Sequence, residues 1–199
     1  MATGAVIERP DLWERYIMAM DAVTDRLNRI TQTLTEMGVP FALVGGQAVA
    51  LWVASKDPAA VRTTKDVDIL LQRKDLPKAR AAATKAGLDY FEVLDVGMFL
   101  ERTDPNPRYG VHLIWAGEKV KAESLLPSPN IDEREELSPG KPVVSLAALV
   151  RMKLLANRDQ DRVHLRDMIG VDLIDRSMLQ GLPAELAERL DALLTEEGR

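Results

Sequence analysis

Apolar positions along the chain repeat with two different periods. Between Asp11 and Met37, the residues Ile17, Met20, Val23, Leu27, Ile30, Leu34 and Met37 recur at three- and four-residue steps. That spacing gathers them on one face of a helix. Pro10 before the run and Gly38 after it are start and stop signals. Phe41-Ala42-Leu43-Val44 is a short unbroken apolar run ending at Gly45-Gly46, which reads as a buried strand and a tight turn. Gln47 to Ala54 carries no charge, so it reads as a helix packed inside the domain. A basic loop from Ser55 to Lys65 follows. Asp66-Val67-Asp68-Ile69-Leu70-Leu71 alternates acid with apolar before turning fully apolar, the pattern of a strand.

Asp75 is placed to cap a helix running to about Ala86, with Gly87 as its stop. Strands are predicted at Tyr90–Val96 and Met98–Glu101, with Gly97 as their turn, and at Val111–Trp115. Pro127, Pro129, Pro139, Gly140 and Pro142, with the acidic cluster Asp132 to Glu136, mark a connector. Helices are predicted after it at Leu146–Asn157, Asp161–Ile169 and Pro183–Leu194. The order predicts an α+β fold, a mixed central sheet flanked by helices with a C-terminal helical segment. Its organisation reads as a core over 1–126, a proline-rich connector over 127–144 and helices over 145–199 packed on the core.

Composition narrows the function. The chain has 199 residues, 46% hydrophobic and 29% charged, an ordinary globular balance. Thirty-one acids against 26 bases give a net charge of −5, which speaks against a general nucleic-acid coat but leaves room for a local basic pocket. The absence of cysteine excludes a disulfide scaffold, a zinc-thiolate site and a thiol nucleophile. The first residues, with Glu8 and Asp11 and no apolar core segment, do not read as a secretory signal. With no run approaching the ~20 apolar residues of a membrane span, the expectation is a soluble, cytoplasmic protein.

Chemistry concentrates between Leu43 and Ile69. A strand that ends in Gly45-Gly46 and passes directly into a helix offers bare backbone and unpaired N–H groups, which suit a phosphate. Asp66 and Asp68, two apart on a strand, leave the same face. Carboxylates held side by side repel each other, and a divalent cation relieves that repulsion. A phosphate seat beside a cation seat is the equipment of phosphoryl or nucleotidyl transfer.

On these residues the chain resembles the DNA polymerase β-like nucleotidyltransferases, and among them the AbiEii-type toxin nucleotidyltransferases and their uncharacterised relatives. The resemblance rests on Gly45-Gly46-Gln47-Ala48, on Arg62-Thr63-Thr64-Lys65-Asp66-Val67-Asp68, and on the helical stretch Lys153-Leu154-Leu155-Ala156-Asn157-Arg158-Asp159-Gln160-Asp161. It implies a nucleotidyltransferase-like fold that moves a nucleoside monophosphate from a nucleoside triphosphate to a hydroxyl acceptor. It further implies Mg²⁺ or Mn²⁺ on Asp66 and Asp68, and nucleotide contacts from Gly45, Gly46, Gln47, Thr64, Lys65 and Lys153. Arg158 and Asp161 would orient that basic group or position the acceptor. The implied partners are an RNA or protein acceptor and a cognate antitoxin, with no membrane.

Active members carry a third carboxylate on a later strand, and the matching strand here offers His112. Imidazole is a poor Mg²⁺ ligand, so His112 is open to three roles: a ligand for a softer cation, a general base, or the mark of a site that binds without turnover. Glu92, Asp95 and Glu101 are candidates to replace the acid. Arg62, Lys65, Arg73 and Lys74 flank the paired aspartates and are candidates to attract phosphate. The alternating-sign run from Arg158 to Asp167 reads as an exposed helix face, with His164 a surface histidine. Trp13, Trp52 and Trp115 read as core or interface anchors.

Overall fold

A computed structural model describes residues 11–199. Pro10 and the opening residues read above against a secretory signal lie outside that range, and Asp11 supplies a start of its own. Helix α1 (Leu12–Glu36) opens on a capping box. The Glu14 N–H donates to Asp11 Oδ1 at 2.8 Å and the Asp11 N–H donates to Glu14 Oε2 at 3.1 Å. Val23, Ile30 and Leu34 of its stripe enter the core. The same stripe outruns its partner at the other end, where Leu12, Trp13, Tyr16, Ile17 and Met18 are exposed.

The rest of the chain alternates strands and helices: β1 (Phe41–Val44), α2 (Gly45–Ala54), β2 (Val67–Leu71), α3 (Leu76–Lys85), β3 (Leu88–Val93), β4 (Val96–Glu101) and β5 (Val111–Trp115). Then come β6 (Arg134–Ser138), β7 (Lys141–Val144), α4 (Leu146–Ala156), α5 (Asp159–Gly170) and α6 (Ala184–Glu196). The strands form one mixed sheet in the order β3-β4-β5-β2-β1-β7-β6. Strands β1 and β2 are antiparallel, while β2 with β5 and β1 with β7 are parallel. This is the α+β arrangement the sequence predicts, a mixed sheet between helices with helices at the C-terminus.

Helices α1 and α3 cover one sheet face. Arg26 and Arg29 of α1 reach Glu101, and Arg80 of α3 lies over the Tyr90 ring. Helix α2 covers the other face over β1 and β2, with the C-terminal helices packed against it. Its Trp52 indole donates to the Val144 carbonyl at 3.0 Å.

Several local readings change. Helix α2 begins at Gly45 itself, so the glycine pair is its first turn. The turn between β3 and β4 is Leu94-Asp95, both with positive φ, and Gly97 lies inside β4. Gly97 is needed there because a Cβ would come within 3.1 Å of Trp115. Asp75 occupies the cap position of α3 without a capping bond, since a short 3₁₀ turn over Arg73–Asp75 already makes its backbone helical.

The stretch read as a connector contains β6 and β7, and β7 lies between β1 and the edge strand β6. Two of its four prolines fall where a hairpin tolerates them, Pro139 in the turn before Gly140 and Pro142 near the start of β7, while Pro127 and Pro129 precede β6. The buried pair Val143-Val144, not the proline count, decides its structure.

Candidate active site

Strand β1 delivers the chain to the bend, and the bend is built for close approach. Gly45 sits at φ +65, a region that side chains other than glycine's rarely adopt. A Cβ there would lie 1.9 Å from Asp68 Oδ2, so the Asp68 carboxylate rests directly on bare backbone. A Cβ at Gly46 would lie 2.5 Å from Thr64 Oγ1. The Gln47 amide donates to the Asp66 carbonyl at 3.4 Å. Glycine pair, Thr64 and the aspartate strand therefore converge on the N-terminal turn of α2, whose first N–H groups have no partners within the helix.

Asp68 pairs across the sheet with Val44 on one side and His112 on the other. The same row continues through Met98 of β4 to Phe91 of β3. Cross-strand neighbours share a face, so Asp68 and His112 stand side by side. Nδ1 of His112 lies 3.6 Å from Asp68 Oδ1, an ion-pair separation, and Nε2 lies 3.2 Å from the Pro107 carbonyl. A carbonyl only accepts, so Nε2 carries a proton. The Asp68 carboxylate, joined by the Pro107 carbonyl and the Asp66 charge, holds the imidazole pKa above its ordinary value against the opposing effect of burial. Asp66 lies just before β2 and is exposed.

The register also decides which acids stay away. Glu92 and Glu101 belong to the opposite sheet face, where Glu92 accepts from the Tyr90 hydroxyl and Glu101 from Arg26 and Arg29. Asp95 sits in the hairpin turn. Among the described residues, no three acidic or histidine side chains form a metal-binding group. Of the paired aspartates, Asp68 has its carboxylate on the bend, while Asp66 meets α2 through its backbone carbonyl.

Three further residues form a buried ion cluster. Asp161 is 1% exposed and accepts from Lys153 Nζ at 2.9 Å and from Arg158 Nε at 2.7 Å. Burial alone would raise the Asp161 pKa, but hydrogen bonds and charge from Arg158 and Lys153 hold it below the usual carboxylate value. Lys153 is not a solvated cation: it is 5% exposed and its ammonium is turned onto Asp161. The Arg158 side chain is 74% exposed. Its pKa is raised by the bond to Asp161 and, to a smaller extent, by the charge of Asp68.

The flanking cations divide. Arg62 is engaged by Asp167 at 2.8 Å, and Arg73 by Glu118 at 2.8 Å while it lies over the Trp115 ring. Among the described residues, Lys65 and Lys74 make no ion pair. His164 is 8% exposed, a correction to the surface reading. Its helix faces α2, not solvent, and burial lowers its pKa. The Arg62–Asp167 pair spans 105 residues of sequence and has no local signal that could reveal it.

No family model matches the chain, and no curated protein matches it. Among solved structures it is similar to the solution structure of the antibiotic-resistance factor ANT(2'')-Ia, with a TM-score of 0.48 and 17% identity over 88% of this chain and 91% of that one. It is similar also to the crystal structure of ANT(2'')-Ia in complex with adenylyl-2''-tobramycin, with a TM-score of 0.46 and 16% identity over 86% and 96% of the two chains.

Proposed function

We propose that the protein binds a nucleoside triphosphate at the Gly45–Gly46 bend and transfers its nucleotidyl group to a hydroxyl, releasing pyrophosphate. The observation that carries this reading is the Asp68 carboxylate resting on the bare backbone of Gly45. A polyphosphate lying over the first turn of α2 would accept from its free N–H groups. It would then lie beside both Asp66 and Asp68. Asp66 and Asp68 would hold a divalent cation, Mg²⁺ or Mn²⁺, since Mg²⁺ commonly binds through one or two carboxylates plus substrate phosphates. When bound, it supplies charge neutralisation at the phosphates. Lys65, which makes no ion pair among the described residues, and the exposed end of the Arg158 guanidinium, whose Nε is held by Asp161, are the cations offered to phosphate. Lys153, buried beneath Asp161, supports the position of Arg158 in this reading instead of touching the nucleotide. The motif resemblance supports the same chemistry, with a hydroxyl of RNA, protein or a small molecule as acceptor.

A second reading, nucleotide binding without turnover, is favoured by one observation. His112, and not a carboxylate, faces Asp68 across the sheet. Both readings expect nucleotide with Mn²⁺ to raise the melting temperature by about 5–10 °C at saturation. Asp66→Ala with Asp68→Ala is expected to abolish the shift. Pyrophosphate release by the unaltered protein, offered RNA or protein acceptors, selects the first reading. Binding without release selects the second, and no shift with any divalent metal overturns both.

A further inference from the structure

The loop that carries Asp66 into β2 is fastened from outside the sheet. Arg62 Nε donates to Asp167 Oδ1 of α5 at 2.8 Å, Thr64 is pressed against Gly46, and the Asp66 carbonyl accepts from Gln47. Only the first of these holds ties the loop to the C-terminal helices. Asp167 is well placed to make it. Its side chain is 12% exposed against 66% for Arg62, so the acid is the fixed post and the arginine the tether.

The second Asp167 oxygen, Oδ2, is buried without a hydrogen bond, as is Nδ1 of His164 one turn before it. Asp167 and His164 line a cavity of about 10 Å³ together with Arg62, Thr64 and Gly46. A space of that size admits a single water. The mid-part of α5 thus presents a polar edge aimed at this loop.

We infer that Asp167 is a positioning residue: through Arg62 it fixes the 62–66 loop, so that the C-terminal helices set where Asp66 and Asp68 stand relative to the glycine bend. This rests on the proposed reading only in what the loop positions, because the hold itself is a property of the free protein. Losing one charge-assisted hydrogen bond whose arginine is mostly exposed corresponds to about three- to fivefold in the opening equilibrium of the segment it closes.

The test is amide hydrogen exchange of the nucleotide-free protein, comparing Asp167→Ala, Arg62→Ala and the charge-swapped pair Arg62→Asp with Asp167→Arg. Both single variants are expected to speed exchange of peptides covering 66–69, where the amides at the start of β2 pair into the sheet directly after the loop, about three- to fivefold, with α1 and β3–β4 peptides unchanged. The swapped pair is expected to restore slow exchange, which loss of a merely structural side chain would not do. Arg62 lies on an exposed loop, so Arg62→Ala keeps the test open should the α5 variants fail to fold. Unchanged exchange in Arg62→Ala overturns the inference, as does a swap that restores nothing. In a second arm, the singles are expected to weaken binding of a non-hydrolysable nucleotide with Mn²⁺, and the swap to recover it. If the unaltered protein binds no nucleotide, the proposed function falls while the exchange result still decides the role of Asp167.

Discussion

At the scale of single residues, Gly45 is the most constrained position in the candidate site. It combines a left-handed backbone with a contact that leaves no room for a methyl group. The left-handed conformation alone costs another residue about 1–2 kcal/mol. Gly45→Ala must in addition push Asp68 aside, so it is expected to lower the melting temperature and to remove the nucleotide-induced shift. Gly140→Ala is the matching control, since φ is +69 there but nothing lies within 4 Å of its Cβ position. It is expected to cost only the backbone term and to leave the nucleotide shift intact. Thermal melts with and without nucleotide check both. That the backbone bends closely at Gly45-Gly46 was legible from sequence, because glycine permits dihedrals and approaches that other residues do not. That the first glycine is reserved for Asp68 and the second for Thr64 was not, because both contacts come from a strand and a loop about twenty residues further on.

At the scale of elements, the β3–β4 hairpin shows where local pattern misleads. Gly97 drew the turn toward itself, yet the chain turns at Leu94-Asp95, both in the left-handed region. A two-residue turn with two positive φ values matches the strand twist, and Asn-Gly suits it best. Leu94 is 94% exposed and contributes no packing to lose. Leu94→Asn with Asp95→Gly is therefore expected to stabilise the protein by about 1 kcal/mol, read as a raised midpoint in urea. Gly97 is fixed by Trp115 of β5, a neighbour that β4 does not reveal on its own. Strand β7 makes the same point with proline. Pro139 and Pro142 suggested a connector, whereas Val143-Val144 found a place beside β1 that only the assembled sheet provides.

At the scale of the whole molecule, the C-terminal helices are held together by charge as well as by packing. Lys153 of α4 and Asp161 of α5 meet beneath the surface, with Arg158 closing the pair from outside. Because the folded Asp161 pKa lies below its unfolded value, the stability it contributes is full above about pH 4. It is lost as pH falls through the folded value. Asp161→Asn strands a buried ammonium and is expected to cost about 3 kcal/mol at neutral pH. The gap between wild type and variant is expected to narrow below about pH 4. Urea unfolding at a series of pH values measures it, and a gap that stays constant to pH 2 would refute the account.

By itself the sequence determined the helices and most of the strands, because periodicity is a local property of the chain. It determined also that Asp66 and Asp68 follow a glycine bend, because their spacing is written within one segment. The family resemblance pointed to His112 opposite the aspartates and to Asp161 as a partner of Lys153; tertiary structure alone decided that the Lys153–Asp161 pair is buried and that Arg62 is tied to Asp167. Strand register and long-range ion pairs depend on which distant faces meet when the core closes, and no local pattern records that.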